Sequence, residues 1–267
     1  MKQRRRVFNY RRFGVLLMLI LGSVLSAFGQ TDSVSLWRGY PLSFLKDTRD
    51  LILFPKFVEK KDGLFIGLGA AAMAGSFFLD ESLEKEIRLS SLRANLPDDL
   101  ISYGVEHWGS GLYPGIAAVG LYGLGALKDN PELKYIAMVQ VKTIGLAAAA
   151  SRVPKVLLQR HRPDQYAAPD AFVFEGPFHG LTGNYSYTSG HTFIAFAWAS
   201  ASAELLQDRP VWQVVVYTLA TSVAVSRVAE GDHWLSDVAG GAVLGYALGK
   251  LTVRFQERNW RKKPSGN

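Results

Sequence analysis

Three short polar groupings in the second half of the chain carry residue types suited to acid–base chemistry and to binding an anion. The last of them, Ser226-Arg227-Val228-Ala229-Glu230-Gly231-Asp232-His233-Trp234-Leu235-Ser236-Asp237, sets His233 and Asp237 four residues apart. One helical turn apart, the Asp237 carboxylate would orient the His233 imidazole and favour its cationic form. The middle grouping, Thr188-Ser189-Gly190-His191, stands directly before an apolar block. Ser189 is a natural N-cap, Gly190 permits close backbone approach, and free N–H groups at a helix start bind anions. The first grouping runs from Lys155 to Pro163 and puts Lys155, Gln159 and Arg162 at i, i+4, i+7. That spacing predicts one shared helical face, with Pro163 ending the helix. Each grouping alone has an ordinary structural reading: a basic helix end, a helix cap, a capping aspartate beside a structural histidine.

The elements that must position these groups are apolar blocks rich in Ala and Gly, at 63–79, 111–127, 135–153, 192–206, 211–226 and 236–252. Small residues at this density let helices approach closely. No block alternates as a half-buried strand does, and no hairpin turn chemistry separates them. Polar or proline-bearing breaks fall at 80–99, 128–131, 162–187 and 207–210. The pattern predicts an all-α bundle of about six helices. Counted along it, the first grouping ends the third helix, the second starts the fourth, and the third joins the fifth to the sixth. In an up-and-down bundle all three meet at one end. Cations, a helix N-terminus and two histidines converge there with few acids to neutralise them, which suits a phosphate-like dianion.

Charge and composition fit this picture. The formal charge of +7 is confined to the tails: residues 1–12 contribute +6 and residues 254–263 contribute +4, so the remainder is net acidic. Such a distribution is a topology signal and gives no reason to expect nucleic acid as a partner. Cysteine is absent, which excludes disulfides, thiolate nucleophiles and thiolate metal sites. A basic start followed by Gly14–Leu21 and small residues up to Gly29 reads as a signal peptide over 1–29, or as an uncleaved anchor. Residues 30–62 form an N-terminal segment, amphipathic over 42–57. Residues 63–253 make the helical domain, and 254–267 a basic tail. The mean hydropathy of +0.07 lies between a soluble enzyme and a fully lipid-facing protein.

With these residues in view, the chain resembles the superfamily of type-2 phosphatidic acid phosphatases and vanadium haloperoxidases. Lys155-x6-Arg162-Pro163, Ser189-Gly190-His191 and Ser226-Arg227-x5-His233-x3-Asp237 are similar to its tripartite signature, over about residues 135–250; Thr188 stands where the family usually has Pro. The resemblance implies that His233 attacks phosphorus and carries a phosphohistidine, held by Asp237. It implies that His191 protonates the leaving oxygen and then activates water. Lys155, Arg162, Ser189, Gly190 and Arg227 would bind the phosphate oxygens. No metal or other cofactor is implied, because the cations are built in. Arg160 is a further candidate substrate contact; His107, His161 and His179 read as structural or solvent-facing.

The expected activity is hydrolysis of phosphomonoesters or diphosphates of an amphiphile: a phosphatidate, a polyprenyl diphosphate or a lipid A-like head group. The loop 164–187 would set the choice. Alternatives are a vanadate-dependent haloperoxidase, a soluble non-specific acid phosphatase, and a silent membrane scaffold. The expected location is an exported, membrane-associated or periplasmic protein of a bacterial-type cell, with the site on the non-cytoplasmic side. Six full spans after a cleaved signal would leave the basic tail outside, against the positive-inside rule. An extra crossing or re-entrant piece at 42–57, or a bundle that does not span, removes that conflict.

Overall fold

The structure is a computed structural model and describes residues 39–53, 63–90, 95, 100–165, 169–177 and 185–258. The signal or anchor expected at 1–29, His179, and the tail beyond Arg258 lie outside the described residues. Helices α1 (Tyr40–Ile52), α2 (Gly63–Phe77) and α3 (Asp80–Leu89) come first. A π-helical turn, Leu100–Val105, leads into the short α4 (Glu106–Gly109). Then follow α5 (Leu112–Leu127), α6 (Pro131–Ala150), α7 (Arg152–Leu158), α8 (Gly190–Leu205), α9 (Pro210–Ala229) and α10 (Leu235–Gln256). The fold is all-α, as the patterning predicts. Each of the six apolar blocks forms one helix: α2, α5, α6, α8, α9 and α10. The helices beyond six are shorter, and the apolar-block count misses them because α1 and α3 are too polar and α4 and α7 too short.

Local chemistry sets the helix starts. Asn130 caps α6 by accepting from the Leu133 N–H (3.1 Å), with Pro131 in the first turn. Pro210 opens α9 in the same way, and Ser189 caps α8. α8 is the central helix, with Ala195, Ala197, Ala199 and Ala201 fully buried against its neighbours. Its closest partner is α10, and glycine makes that approach possible. A methyl group on Gly241 would lie 2.7 Å from the Ser189 carbonyl oxygen; at Gly245 and Gly249 it would lie closer still to the carbonyls of Phe193 and Ala197. The spacing 241, 245, 249 lays these glycines along one face of α10.

α1 packs with its polar side inward. Ser43, Asp47 and Asp50 are buried, while Leu42, Leu45 and Ile52 face outward. The cause is Lys142 on α6, fully buried and bonded to Asp47 (2.8 Å), Ser43 and Gln256. Asp50 is paired with Arg258, just beyond the end of α10. A buried cation requires such partners, so α1 turns its carboxylates to the protein.

Apolar side chains also dominate much of the outer surface. On α2 only Ser76 is buried, and Leu64, Phe65 and Leu68 are exposed. The helical run Pro131–Leu158, α6 with α7, and α9 are long and apolar enough to cross a membrane; the bent pairs α2–α3 (54°) and Tyr103–Leu127 (76°) could bring the number to four. A surface of this kind is that of a membrane protein.

Because α8 offers only the Phe193 backbone at Gly245, Gly245→Val is expected to destabilise the fold by about 1–3 kcal/mol. Thermal unfolding in detergent would show this as a lowered Tm, and an unchanged Tm would contradict the close α8–α10 contact.

Candidate active site

The structure brings the three groupings to one end of the bundle, around a cavity of about 330 Å³. Lys155, Arg162, Gly190, His191 and His233 all line it. α7 presents Lys155 from one wall, with its ammonium bonded to the Tyr185 carbonyl (2.7 Å). Gly190 lies beside the Lys155 stem: a methyl there would touch Cε at 3.4 Å. Arg162 reaches the same wall by a different route from the one the spacing suggests. The helix stops at Leu158, Gln159 turns left-handed (φ 43°), and the Gln159 side chain is buried on the Gly176 carbonyl (2.7 Å). The shared helical face is therefore not formed, and Arg162 lines the cavity from the loop after it.

His233 lies just outside α10, before its N-cap Trp234. Gly231 (φ 83°) makes the left-handed turn that brings the chain from α9 to this point. Asp237 reaches back from the first turn of α10. Its Oδ2 accepts from the Trp234 N–H (2.9 Å) and from the Ser186 hydroxyl, and lies 3.5 Å from His233 Nδ1. Its Oδ1 accepts from Arg160 (2.6 Å). The pair meets through this capping geometry, not along a helix face. Burial pushes the Asp237 carboxyl up, and its bonds with His233, Arg160 and Ser186 more than reverse this, holding it below the usual carboxylate value.

His233 is only 3 % exposed, and burial lowers its pKa to about 4, aided by the Lys155 and Arg162 charges and opposed by Asp237. Asp237 does favour the cationic ring, as its spacing suggests, but burial outweighs the carboxylate and the net shift is downward. With Asp237 at Nδ1, the Nε2 lone pair is the one available for bond formation.

His191 lies in the first turn of α8, close to Glu106 of α4 (Nε2 to Oε1, 3.6 Å). Burial first, then the Arg227 charge, lower its pKa below 6.5, against the effect of Glu106. Gly109 lets α4 approach this closely, since a methyl there would lie 2.7 Å from His191 Cβ.

Two expected phosphate ligands are placed differently. Ser189 is fully buried as the α8 cap, bonded to Thr192, and lies outside the residues lining the cavity. Arg227 also lies outside them, paired with Asp232 (2.9 Å) and Glu230. The expected scarcity of acids is thus corrected: Glu106, Glu230 and Asp232 all stand close to the site. Thr188 is fully buried, against Gly240.

Arg160 does not line the cavity either. It is fully buried, and its guanidinium is bonded within the protein to Asp237, Ser236, Asp80 and the Ala171 carbonyl. The sequence reading missed Glu106, Ser186 and the exposed Arg152, which also lines the cavity. Arg152 was findable, three residues before Lys155 on the same helix face; Glu106 and Ser186 had no local signal. His107 packs edge-on between Tyr103 and Tyr113, and His161 bonds to Glu175 (2.7 Å), so neither enters the cavity.

Comparison with known proteins identifies the framework. Residues 136–261 match the PAP2 superfamily, so this part of the chain is a PAP2 superfamily domain. Over 67 residues the chain is 42% identical to a lipid A 1-phosphatase of Porphyromonas gingivalis, covering 25% of this chain and 15% of that protein. It is 29% identical over 129 residues to an undecaprenyl-diphosphatase of Sulfolobus acidocaldarius, covering 48% and 59%. A lipid A 1-phosphatase of Rhizobium johnstonii is 30% identical over 111 residues, covering 42% and 44%. The matches thus span less than two thirds of each relative's length. Among solved structures, a transmembrane PAP2-type phosphatidylglycerolphosphate phosphatase from Bacillus subtilis aligns over 84% of this chain and 100% of its own, with 19% identity and a TM-score of 0.44.

The titration of the two cavity histidines follows from their surroundings. In a ring-nitrogen NMR titration of the full chain in detergent, His233 is expected to take up its proton at about pH 4 and His191 below 6.5. A His233 midpoint at or above 6.5 would contradict the dominance of burial over Asp237.

Proposed function

We propose that this protein is a metal-independent phosphatase that removes phosphate from a lipid phosphomonoester or diphosphate through a phosphohistidine at His233. The observation that carries this reading is an imidazole with Asp237 at its Nδ1, facing a cavity lined by Lys155, Arg162 and the N-terminus of α8. In the first step the His233 Nε2 lone pair forms a bond to phosphorus as the bond to the leaving oxygen breaks. His191, in its protonated form, gives its proton to that oxygen. In the second, His191 takes a proton from water, the water oxygen attacks phosphorus, and the N–P bond breaks to release phosphate.

Lys155, Arg162 and the Gly190 N–H stabilise the oxygens that gain charge. Ser189 supports them by capping α8. Arg227 lies close enough to His191 to act on its charge, and serves the phosphate only by exchanging its pair with Asp232 or Glu230. The phosphatase unit is assigned to residues 63–253, together with α1, which is clamped onto α6 and α10.

An apolar groove of about 820 Å³ supports an amphiphilic substrate. It runs along α9 from Gln213 to Ser226 and Ala229, against Leu100, Ile101 and Val105. Seventeen residues of helix, sixteen rises, give it a length of roughly 24 Å. Its upper end adjoins Arg227, and Val105 precedes the Glu106 that faces His191. A head group in the cavity therefore leaves its chain at the mouth of this groove. The names of the relatives, lipid A 1-phosphatase and undecaprenyl-diphosphatase, point the same way. Location follows the same logic: a membrane protein whose phosphatase site faces the non-cytoplasmic side.

The test compares wild type with His233→Ala in mixed micelles, on phosphatidate, on a polyprenyl diphosphate and on a soluble aryl phosphate. Wild type is expected to turn over a lipid substrate with a higher kcat/KM than the soluble ester, and His233→Ala to lose activity by about 10⁴-fold or more. A His233→Ala variant as active as wild type would overturn the mechanism. A preference for the soluble ester would overturn the substrate class, and vanadate-dependent halide oxidation by peroxide would replace the reading with that of a haloperoxidase.

A further inference from the structure

Asp80, the first residue of α3, lies 157 positions before Asp237 and outside the matched family region. It is nevertheless built into the same buried cluster. Asp80 is 1 % exposed, and Arg160, Ser236 and Asp237 have no exposure at all. Asp80 Oδ1 accepts the backbone N–H of Ser236 (2.8 Å), in the first turn of α10. Its Oδ2 accepts from the Ser236 hydroxyl (2.5 Å) and from Arg160 Nη2 (2.7 Å). Arg160 Nη1 then donates to Asp237 Oδ1 (2.6 Å) and to Ser236 Oγ (2.7 Å).

The guanidinium is held on its remaining sides as well. Its Nε and Nη2 donate to the Ala171 carbonyl (2.9 and 2.6 Å), and Phe77, Phe174 and Trp234 surround it at 4.9 to 5.4 Å from their ring centres. Glu81, next to Asp80, accepts the Ala171 N–H (3.3 Å), so the start of α3 also fixes the loop that confines Arg160.

We propose that Asp80 and Arg160 are positioning residues for phosphoryl transfer, which act on His233 only through Asp237. The cluster is too elaborate for a simple charge pair. Arg160 alone beside Asp237 would be free to form a two-pronged pair with it, drawing Oδ2 away from His233. Asp80 takes the second guanidinium nitrogen, so Arg160 binds Asp237 through one oxygen only. Oδ2 is left to Trp234, Ser186 and His233. Two carboxylates on one guanidinium also leave the cluster with a negative charge next to the ring. That charge stabilises the positive imidazolium produced when Nε2 bonds to phosphorus and Nδ1 keeps its proton. Neither Asp80 nor Arg160 touches the cavity.

The inference rests on the phosphatase reading, and wild-type turnover is its internal reference: no wild-type turnover would count against the function, whereas the ratio of variant to wild type addresses the positioning role. The experiment uses the full chain in detergent, with Asp80→Asn made in wild type and in Asp237→Asn. Active fraction is normalised to folded protein by thermal unfolding. Asp80→Asn is expected to lower kcat by about 10–100-fold, the range seen for outer partners of metal-bound histidines and carboxylates, with little change in KM. In the Asp237→Asn background the same change should cost less than about twofold, since its route to His233 is already cut. If Asp80→Asn does not fold, Ser236→Ala serves in its place and should lower kcat in the same Asp237-dependent way. Equal losses in the two backgrounds, or an unchanged kcat per folded enzyme, would overturn the proposal.

Discussion

A carboxylate with no solvent exposure organises this protein. Asp237 sits where water cannot stabilise its charge, and a buried charge is tolerated only with full hydrogen bonding and a counter-charge. The structure supplies both from distant parts of the chain. Arg160 comes from the loop after α7, Ser186 from the approach to α8, and Trp234 N–H from the start of α10. The Asp237 carbonyl also accepts the Ser189 N–H (3.0 Å), which ties the N-termini of α8 and α10 together. Fixing this one residue therefore fixes the relative positions of the anion-binding helix start and of His233.

The helical packing serves the same end. Glycines 241, 245 and 249 bring α10 against the backbone of α8, and the two helix starts can then share one cavity wall. α1 and α3 close the assembly from the N-terminal side, and each does so through buried charge: Asp47 on Lys142, and Asp80 on Arg160. The long apolar faces of α2, α5 and α9 are left on the outside. A few buried ion pairs thus hold the interior together while apolar side chains cover much of these helices' outer faces, an arrangement a bilayer favours.

Much of the site was legible in the sequence because its ligands sit at helix ends. Lys155, Gly190, His191 and His233 could be brought together by counting helices, a topological argument that does not need exact boundaries. It broke down where a side chain's direction mattered. Gln159 and Arg162 were assigned a helix face, but a left-handed residue ends the helix first. Arg227 read as a free cation because the partners Glu230 and Asp232 lie in a turn whose shape spacing does not reveal. Arg160 stands two positions from Arg162 and resembles it in every local respect; only the fold turns one inward and the other to the cavity. Asp80 carried no signal, since its significance depends on a contact across 157 positions. α1 was visible as amphipathic, but which face turns inward depended on Lys142, in another helix.

The central claim is that His233 carries the phosphoryl group. Its most direct test is to quench the full-length enzyme in base during turnover of a lipid phosphate and map the modified residue by mass spectrometry. A base-stable, acid-labile phosphate on the peptide containing His233, absent from an otherwise identical sample without substrate, is the predicted result. Phosphate on any other residue, or active turnover with no phosphoenzyme under conditions that slow the second step, would contradict the account.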